Sequence, residues 1–214
     1  MILQGSIVSL QIGKPQNEAF SGMNMKTAIK KQKTEMADLG ANGFSGDGVG
    51  NPVHHGGPER AVCFYPAEHY SLWEEEFQKT IAMPAFGENL TVHGMKEEEV
   101  CIGDIFRIGR SAAVQVTQGR VPCSTISFFN NEPQFLKRIL DTCYTGYFAK
   151  MIDAGTINQN DNITLLHRAQ KPITVLQASR ILLHQEGGLA AAEELISAEG
   201  LAEDWKKKLK KRLS

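Results

Sequence analysis

The chain of 214 residues contains 42% hydrophobic and 22% charged residues, a composition that is ordinary for a folded soluble protein and excludes a mostly disordered one. Its formal net charge of −1 excludes a general attraction to nucleic acids, so any anion site must be built locally. No segment approaches the roughly 18 consecutive apolar residues that span a bilayer, and the first residues lack the features of a signal peptide. We therefore expect a cytoplasmic protein that binds neither nucleic acid nor membrane.

Short β-rich segments with glycine-containing turns fill residues 1–170. Loose alternation of apolar residues predicts a strand over 2–12, and an apolar run before Pro66 predicts another over 60–65. Similar patterns predict strands over 105–108, 114–117 and 162–166. Many short strands with irregular loops are typical of a β-barrel or β-sandwich, so the predicted fold class is mainly β.

Two helices are predicted within this region. From Pro66 onward, Tyr70, Trp73 and Phe77 recur at spacings of three and four, which is the pattern of an amphipathic helix. A shorter helix is predicted over 133–141. Its apolar face comprises Phe135, Leu136, Ile139 and Leu140.

Residues 171–214 lose the β pattern and predict a C-terminal appendix of three helices. Thr174 is expected to cap the first helix, which the pair Gly187-Gly188 ends, and the second closes at Gly200. The third carries the basic run KKKLKKR between leucines at steps of four. Because lysines near a helix C-terminus complement its dipole, this run predicts a solvated face rather than a nucleic-acid site. The apolar faces favour packing on the barrel or on a second copy in a homodimer.

Cys123 differs from the other cysteines, Cys63, Cys101 and Cys143, which we assign to the core or to a structural role. Pro122 fixes the backbone just before Cys123 and removes a donor, which favours an exposed thiol. Nearby positive groups such as Arg120 and His55 would favour the thiolate, the form that a metal ligand, a nucleophile or a persulfide carrier needs. The alternative from the residues alone is a buried, inert thiol.

Four stretches, residues 43–62, 86–90, 118–123 and 145–163, contain more glycine, histidine, arginine and amide side chains than a core or a solvated face needs. Glycines at 43, 46, 48 and 50 can point backbone N–H groups at phosphate, although a plain surface loop is an equal alternative. Arg120 suits phosphate because of its planar fork of donors, and Lys26, Lys30 and Lys31 are weaker candidates. A fourth stretch, residues 145–163, is rich in glycine and amides.

Taken together, HHGGPERAVCFYPAEHY, FGENL, VCIGDIFRIG and TQGRVPC resemble the MOSC-domain family, in particular its bacterial YiiM branch, whose C-terminal helices begin with a segment like ITVLQASRILLH. The resemblance implies a MOSC-type β-barrel over 1–170 and a three-helix appendix over 171–214. It also implies a molybdenum cofactor, with Cys123 as the ligand to the metal. Members of this branch are linked to reduction of N-hydroxylated bases such as 6-N-hydroxylaminopurine.

The same resemblance implies a cofactor pocket with a phosphate site. Its implied residues are Arg120, His55, Gly56, Gly57 and Arg60, with Glu88 and Asn89 at the wall and Lys26 and Lys30 near the phosphate. The chain departs from the family pattern at Ser124-Thr125, where Trp-Lys is common, and at Asn160-Asp161, where Gly-Asp is common. These departures bear on the substrate pocket and leave the thiol in place.

The predicted function is that of a molybdenum-cofactor oxidoreductase acting on N-hydroxylated small molecules. A separate reductase must supply electrons, because the chain has no flavin, nicotinamide or iron–sulfur motif. Two alternatives remain open. Cys123 could carry a persulfide as a sulfurtransferase, or the chain could bind a pterin or phosphate without turnover.

Overall fold

The computed structural model describes residues 3–20, 23–50 and 56–213. The strands in these ranges are β1 (Gln4–Ile12), β2 (Gln16–Phe20), β3 (Met23–Thr27), β4 (Gln32–Lys33), β5 (Met36–Gly40), β6 (Gly43–Phe44), β7 (Val62–Pro66), β8 (Leu90–His93), β9 (Ile105–Ile108), β10 (Ala112–Gly119), β11 (Tyr147–Asp153), β12 (Gly155–Asn158) and β13 (Asn162–His167). Seven of them form a closed barrel in the order β13-β9-β10-β11-β7-β8-β1, which closes where β1 pairs with β13. Neighbours are antiparallel except β7 and β8. The predicted mainly β barrel is confirmed.

The barrel strands follow from their side-chain patterns. Along β1, burial alternates from Gln4 to Ser9, so one face points into the barrel. Every residue of β10 is buried, because the strand has the barrel core on one face and C-terminal helices on the other. The double burial extends to the polar residues Gln115, Thr117 and Gln118, which are buried along with the apolar ones.

Two smaller sheets flank the barrel. Strands β2 and β3 form a hairpin, and β12, β5 and β6 form a three-stranded sheet. These strands were not predicted, because sequences such as QNEAF are polar and only two to five residues long. Residues 145–163, predicted as a polar functional stretch, instead form the barrel strand β11, strand β12 and the turn before β13.

Six helices occur in the described ranges. They are α1 (Glu68–Phe77), α2 (Thr125–Phe129), α3 (Phe135–Thr142), α4 (Val175–His184), α5 (Gly188–Ile196) and α6 (Glu203–Leu213). Helix α1 begins two residues later than predicted, because Pro66 is still the last residue of β7. Tyr70 and Trp73 of α1 are buried with Phe86 and Phe135 in an aromatic cluster beside the barrel.

The C-terminal helices confirm the predicted cap. Thr174 Oγ1 accepts from the Gln177 N–H at 3.1 Å while Gln177 Oε1 accepts from the Thr174 N–H at 2.9 Å, a capping box. The predicted end of α4 at the glycine pair was wrong, because Gln185 takes the left-handed conformation and ends the helix earlier. Gly188 instead begins α5.

The apolar faces of α4 and α6 are buried against the chain's own barrel. Val175, Ala178, Trp205 and Leu209 belong to the same continuous core as the barrel strands. The homodimer remains a prediction, while this face already has an intramolecular partner. None of the helices in the described ranges is long and apolar enough to cross a membrane.

Candidate functional site

A cavity of about 590 Å³ lies beside the barrel, where loops from distant parts of the chain converge. Its walls come from residues within the segments 25–31, 42–50, 56–63, 87–89 and 120–125, together with Phe148 of β11. The volume is in the range of sites that bind small molecules and cofactors. All four stretches that were predicted to be functional contribute to the lining, the fourth through Phe148 alone.

Cys123 lies on the wall of this cavity and is half-buried. Its thiol donates to Thr125 Oγ1 at 3.4 Å, and Thr125 Oγ1 donates to the Met25 sulfur at 3.7 Å. The Cys123 carbonyl accepts from the Ile126 N–H at 3.1 Å and so begins helix α2. The thiol is therefore held between a rigid loop and a helix start, and it faces a cavity rather than the core.

The other three cysteines are buried. Burial raises the pKa of each of their thiols to about 11. Cys63 also lines the cavity, and the Arg120 guanidinium partly offsets the effect of burial there. Cys101 and Cys143 lie elsewhere, as predicted for core or structural thiols.

Arg120 reaches into the cavity from the end of β10. Its backbone N–H donates to the Gly146 carbonyl at 2.9 Å, and its Nη1 donates to the Phe86 carbonyl. Its Nε is buried with no hydrogen-bond partner in the described part of the chain. Since a buried, unpaired donor is costly, this nitrogen is poised to gain from an acceptor at the site.

The cavity is electropositive. Among its described lining residues, four cations, Lys26, Lys31, Arg60 and Arg120, face a single carboxylate, Asp47. Such a local excess of positive charge, within a chain of net charge −1, would favour an anionic ligand here.

The structure separates the candidate lysines. Lys26 lines the cavity, whereas the Lys30 ammonium pairs with Glu18 Oε2 at 2.5 Å on the β2–β3 hairpin and is not on the cavity wall. The prediction for Lys30 is therefore wrong in position. Its neighbour Lys31 turns inward instead, where its ammonium pairs with Asp47, and only 4% of its side chain is exposed.

Glu88 is not part of the wall either. It is fully buried, and its Oε1 accepts from Tyr70 Oη at 2.5 Å and from Thr91 Oγ1 at 2.9 Å. Its Oε2 accepts from the Phe86 N–H at 3.1 Å. These bonds occupy both oxygens, so Glu88 shapes the loop that presents Gly87 and Asn89 to the cavity.

The glycines of the site serve two different purposes. Gly56 and Gly57 line the cavity, and Gly57 has a φ of 102°, which a residue with a side chain rarely adopts. Gly50 instead permits close packing, since a Cβ there would overlap the Lys26 carbonyl. His55 lies outside the described residues.

Arg60 connects the cavity to the C-terminal helices. Its Nη1 donates to the Gly56 carbonyl at 3.3 Å, and its Nη2 donates to Asp204 Oδ2 of α6 at 3.0 Å. This connection was not predicted from the sequence, and neither were Asp47 and the apolar wall residues Ile29 and Phe44. A separation of 144 residues between Arg60 and Asp204 leaves no local pattern that could have indicated it.

Models of known protein families match two parts of the chain. The MOSC domain matches residues 51–164, which is just over half of the chain. The YiiM-like, 3-alpha helix domain matches residues 173–214.

Comparisons over the whole chain agree with these matches. YflK from Bacillus subtilis is 40% identical over 208 residues, covering 97% of this chain and 94% of YflK. A protein named Reductase from Gibberella moniliformis is 31% identical over 181 residues, covering 83% of this chain and 32% of that longer protein. The crystal structure of YiiM from Geobacillus stearothermophilus aligns with a TM-score of 0.83 at 30% identity, covering 98% of this chain and 100% of that one. The chain therefore belongs to the MOSC-domain family, in the branch that carries the YiiM-like three-helix domain.

Proposed function

We propose that this protein is a molybdenum-cofactor-dependent oxidoreductase that reduces N-hydroxylated compounds. The observation that carries the proposal is the position of Cys123, a half-buried thiol on the wall of a cavity lined by four cations. A thiolate is the protein ligand that suits a soft metal, and the cations suit a phosphorylated organic group.

The residues present fit such a cofactor. Cys123 would hold the metal, and Arg120, whose buried Nε lacks a partner among the described residues, would hold an anionic oxygen. Arg60 and Lys26 add positive charge to the lining, and a Cβ on Gly57 would have no atom within 4 Å among the described residues, its chain neighbours aside. When bound, the cofactor supplies the two-electron redox chemistry that no amino-acid side chain provides.

The proposed reaction converts R–NHOH, two electrons and two protons into R–NH2 and water. The N–O bond breaks, the nitrogen is reduced, and the oxygen leaves as water. Ile29, Phe44 and Phe148 give the cavity an apolar wall against which a planar base can pack. Thr125 fixes the direction of the Cys123 sulfur through the bond described above.

Electrons must come from a separate reductase, because the sequence has no motif for a second redox cofactor. The Gibberella moniliformis relative named Reductase, 32% of which aligns with this chain, supports a role of this domain alongside reductase chemistry. We expect the reaction to take place in the cytoplasm.

The test is reduction of 6-N-hydroxylaminopurine to adenine by protein purified from a host that makes the cofactor, with reduced methyl viologen as electron donor. We expect turnover by the natural chain and by Cys143→Ala, which removes a thiol outside the cavity. Cys123→Ser should abolish it. Equal turnover by Cys123→Ser would overturn the proposal.

The same protein preparation also tests the alternative function, that of a sulfur carrier. A reducible mass increase of one sulfur atom on Cys123, with no molybdenum and no turnover, would replace the proposed function with sulfur transfer. A half-buried thiol on the wall of a cavity with cations suits a persulfide as well, so the two measurements belong together.

A further inference from the structure

The first residues of helix α6 bind the short 3₁₀ turn Pro58–Arg60, which adjoins the cavity. Both Glu59 carboxylate oxygens accept from the Glu203 N–H, at 3.1 and 3.2 Å, and so cap the first turn of α6. The residues that follow Glu59 and Glu203 are also in contact, since Arg60 Nη2 pairs with Asp204 Oδ2 at 3.0 Å. Two consecutive residues of the turn thus hold two consecutive residues of the helix.

Thr117 of strand β10 also binds both the 3₁₀ turn and the segment before α6. Thr117 Oγ1 donates to the Glu59 carbonyl at 2.7 Å, and the Thr117 carbonyl accepts from the Ala202 N–H at 3.0 Å. Thr117 is fully buried, so solvent cannot replace either bond. One strand residue therefore fixes both the turn that carries Arg60 and the segment that leads into α6.

At Gly119, two residues further along β10, the barrel packs closely against the C-terminal helices. A Cβ on Gly119 would overlap Ser179 Oγ of α4 and lie 3.2 Å from Cη2 of Trp205 of α6. Gly119 directly precedes Arg120. Both cavity segments, the 3₁₀ turn and the loop of Arg120 and Cys123, are thus supported by the C-terminal helices.

We propose that the three-helix appendix is a working part of the binding site, and that Asp204 is a positioning residue for Arg60. Only 13% of the Arg60 side chain is exposed, so its orientation is set by its two protein partners, the Gly56 carbonyl and Asp204. Asp204 and the Gly56 carbonyl each accept from one nitrogen of the guanidinium, and Arg60 lies on the cavity wall. This inference rests on the proposed function for the identity of the ligand, and on the contacts alone for the positioning.

A purely structural ion pair would explain the same contacts, and a charge swap separates the two roles. The double variant Arg60→Asp with Asp204→Arg can re-form the pair but puts a carboxylate where the cavity needs a cation. If Arg60 has no part in ligand binding, the swap should recover every property. If Arg60 binds the ligand, the swap should recover stability without cofactor binding, and Asp204→Ala then tests whether Asp204 positions that guanidinium.

The first measurement is amide hydrogen exchange of residues 56–63 in protein made without the cofactor. Asp204→Ala should speed exchange there by about two- to fivefold, the effect expected of a partly exposed ion pair. Lys208→Ala is the matched control, because Lys208 also binds Asp204, at 2.8 Å, but does not touch Arg60. It should leave exchange in this turn unchanged.

The second measurement is molybdenum retained per chain after purification from a cofactor-making host. We expect Asp204→Ala to lower molybdenum retention several-fold and Asp204→Glu to retain most of the metal. The charge-swap variant should retain little molybdenum, while its urea unfolding midpoint returns to that of the natural chain. The positioning role would be overturned if amide exchange of residues 56–63 were unchanged in Asp204→Ala. It would also be overturned if the charge-swap variant retained as much molybdenum as the natural chain. A natural chain without molybdenum would instead overturn the proposed function, while the exchange result still decides the positioning.

Discussion

Asn89 Nδ2 donates to Asp47 Oδ2 at 2.8 Å and thereby ties the FGENL loop to the glycine-rich loop across the cavity. The other Asp47 oxygen accepts from the Gly13 N–H at 2.8 Å and from the Lys31 ammonium. Asn89 Oδ1 in turn accepts from the Cys63 N–H at 3.1 Å. This chain of polar contacts holds the far wall of the cavity in place.

Substitution Asp47→Asn should lower the free energy of unfolding by about 3 kcal/mol, because it leaves the buried Lys31 ammonium without its carboxylate. Urea denaturation measures the change. Adding Lys31→Met should recover part of it, since the unpaired charge is then gone. Asp141→Asn, which breaks the exposed pair with Lys137, is the control and should leave stability unchanged within error.

Iodoacetamide should label Cys123 well before the other thiols. At about pH 8, a thiol with a pKa of about 11 is ionised in roughly one molecule in a thousand, and only the thiolate reacts. Cys123 is also the one that faces the cavity without full burial. Peptide mass spectrometry over time gives the order, and early labelling of Cys63 would contradict the assigned geometry.

Stability should fall at alkaline pH. Burial raises the pKa of Tyr65, Tyr70 and Tyr147 well above 10.0 and that of the Cys63 thiol from 9.0 to about 11. The folded state therefore holds these protons more tightly than the unfolded chain. This contribution is fully present below about pH 9 and is lost progressively as pH rises through the unfolded and then the folded pKa values.

The urea midpoint should accordingly be lower at about pH 10.5 than at about pH 7.5, and tyrosinate absorbance should appear together with unfolding. Tyrosinate from more than one of the four tyrosines before the unfolding transition would show that these three phenols are not buried, since the fourth, Tyr144, is only partly buried.

Substitution Gly119→Ala should destabilise the protein by about 2 kcal/mol, because the new methyl group would overlap Ser179 Oγ. Ser179→Ala removes that oxygen, which has no hydrogen-bond partner among the described residues, and is expected to cost little alone. The double variant should recover most of the loss in thermal unfolding. Additive losses would mean that β10 and α4 do not meet at this point.

Five of the seven barrel strands, β1, β7, β9, β10 and β13, and the C-terminal helices could be predicted from the sequence. Helix α6 is an example, since Trp205 and Leu209 recur at four-residue steps and are both buried. Barrel strands β8 and β11 and the β2–β3 hairpin escaped prediction, because β8 has only four residues, β11 mixes apolar with charged residues and the hairpin is polar. Amphipathic helices and strands with a clear apolar pattern are therefore the predictable part of this fold.

The site was predictable only where residue chemistry is unusual. Cys123 and Arg120 were selected by type and by their place near Pro122, and both line the cavity. No local pattern distinguishes Lys31 from Lys30, because their roles depend on tertiary contacts: Lys31 pairs with Asp47 in the interior, and Lys30 pairs with Glu18. Glu88 was misplaced for a similar reason, since its partner Tyr70 lies 18 residues away.

The most direct test of the account is the molybdenum and pterin content of the purified chain and of Cys123→Ser, both from a cofactor-making host, measured by metal analysis and by fluorescence of the oxidised pterin. The account predicts that the natural chain retains both, and that Cys123→Ser loses the metal while Cys143→Ala keeps it. A natural chain that retains neither, or a Cys123→Ser variant that retains as much metal as the natural chain, would contradict it.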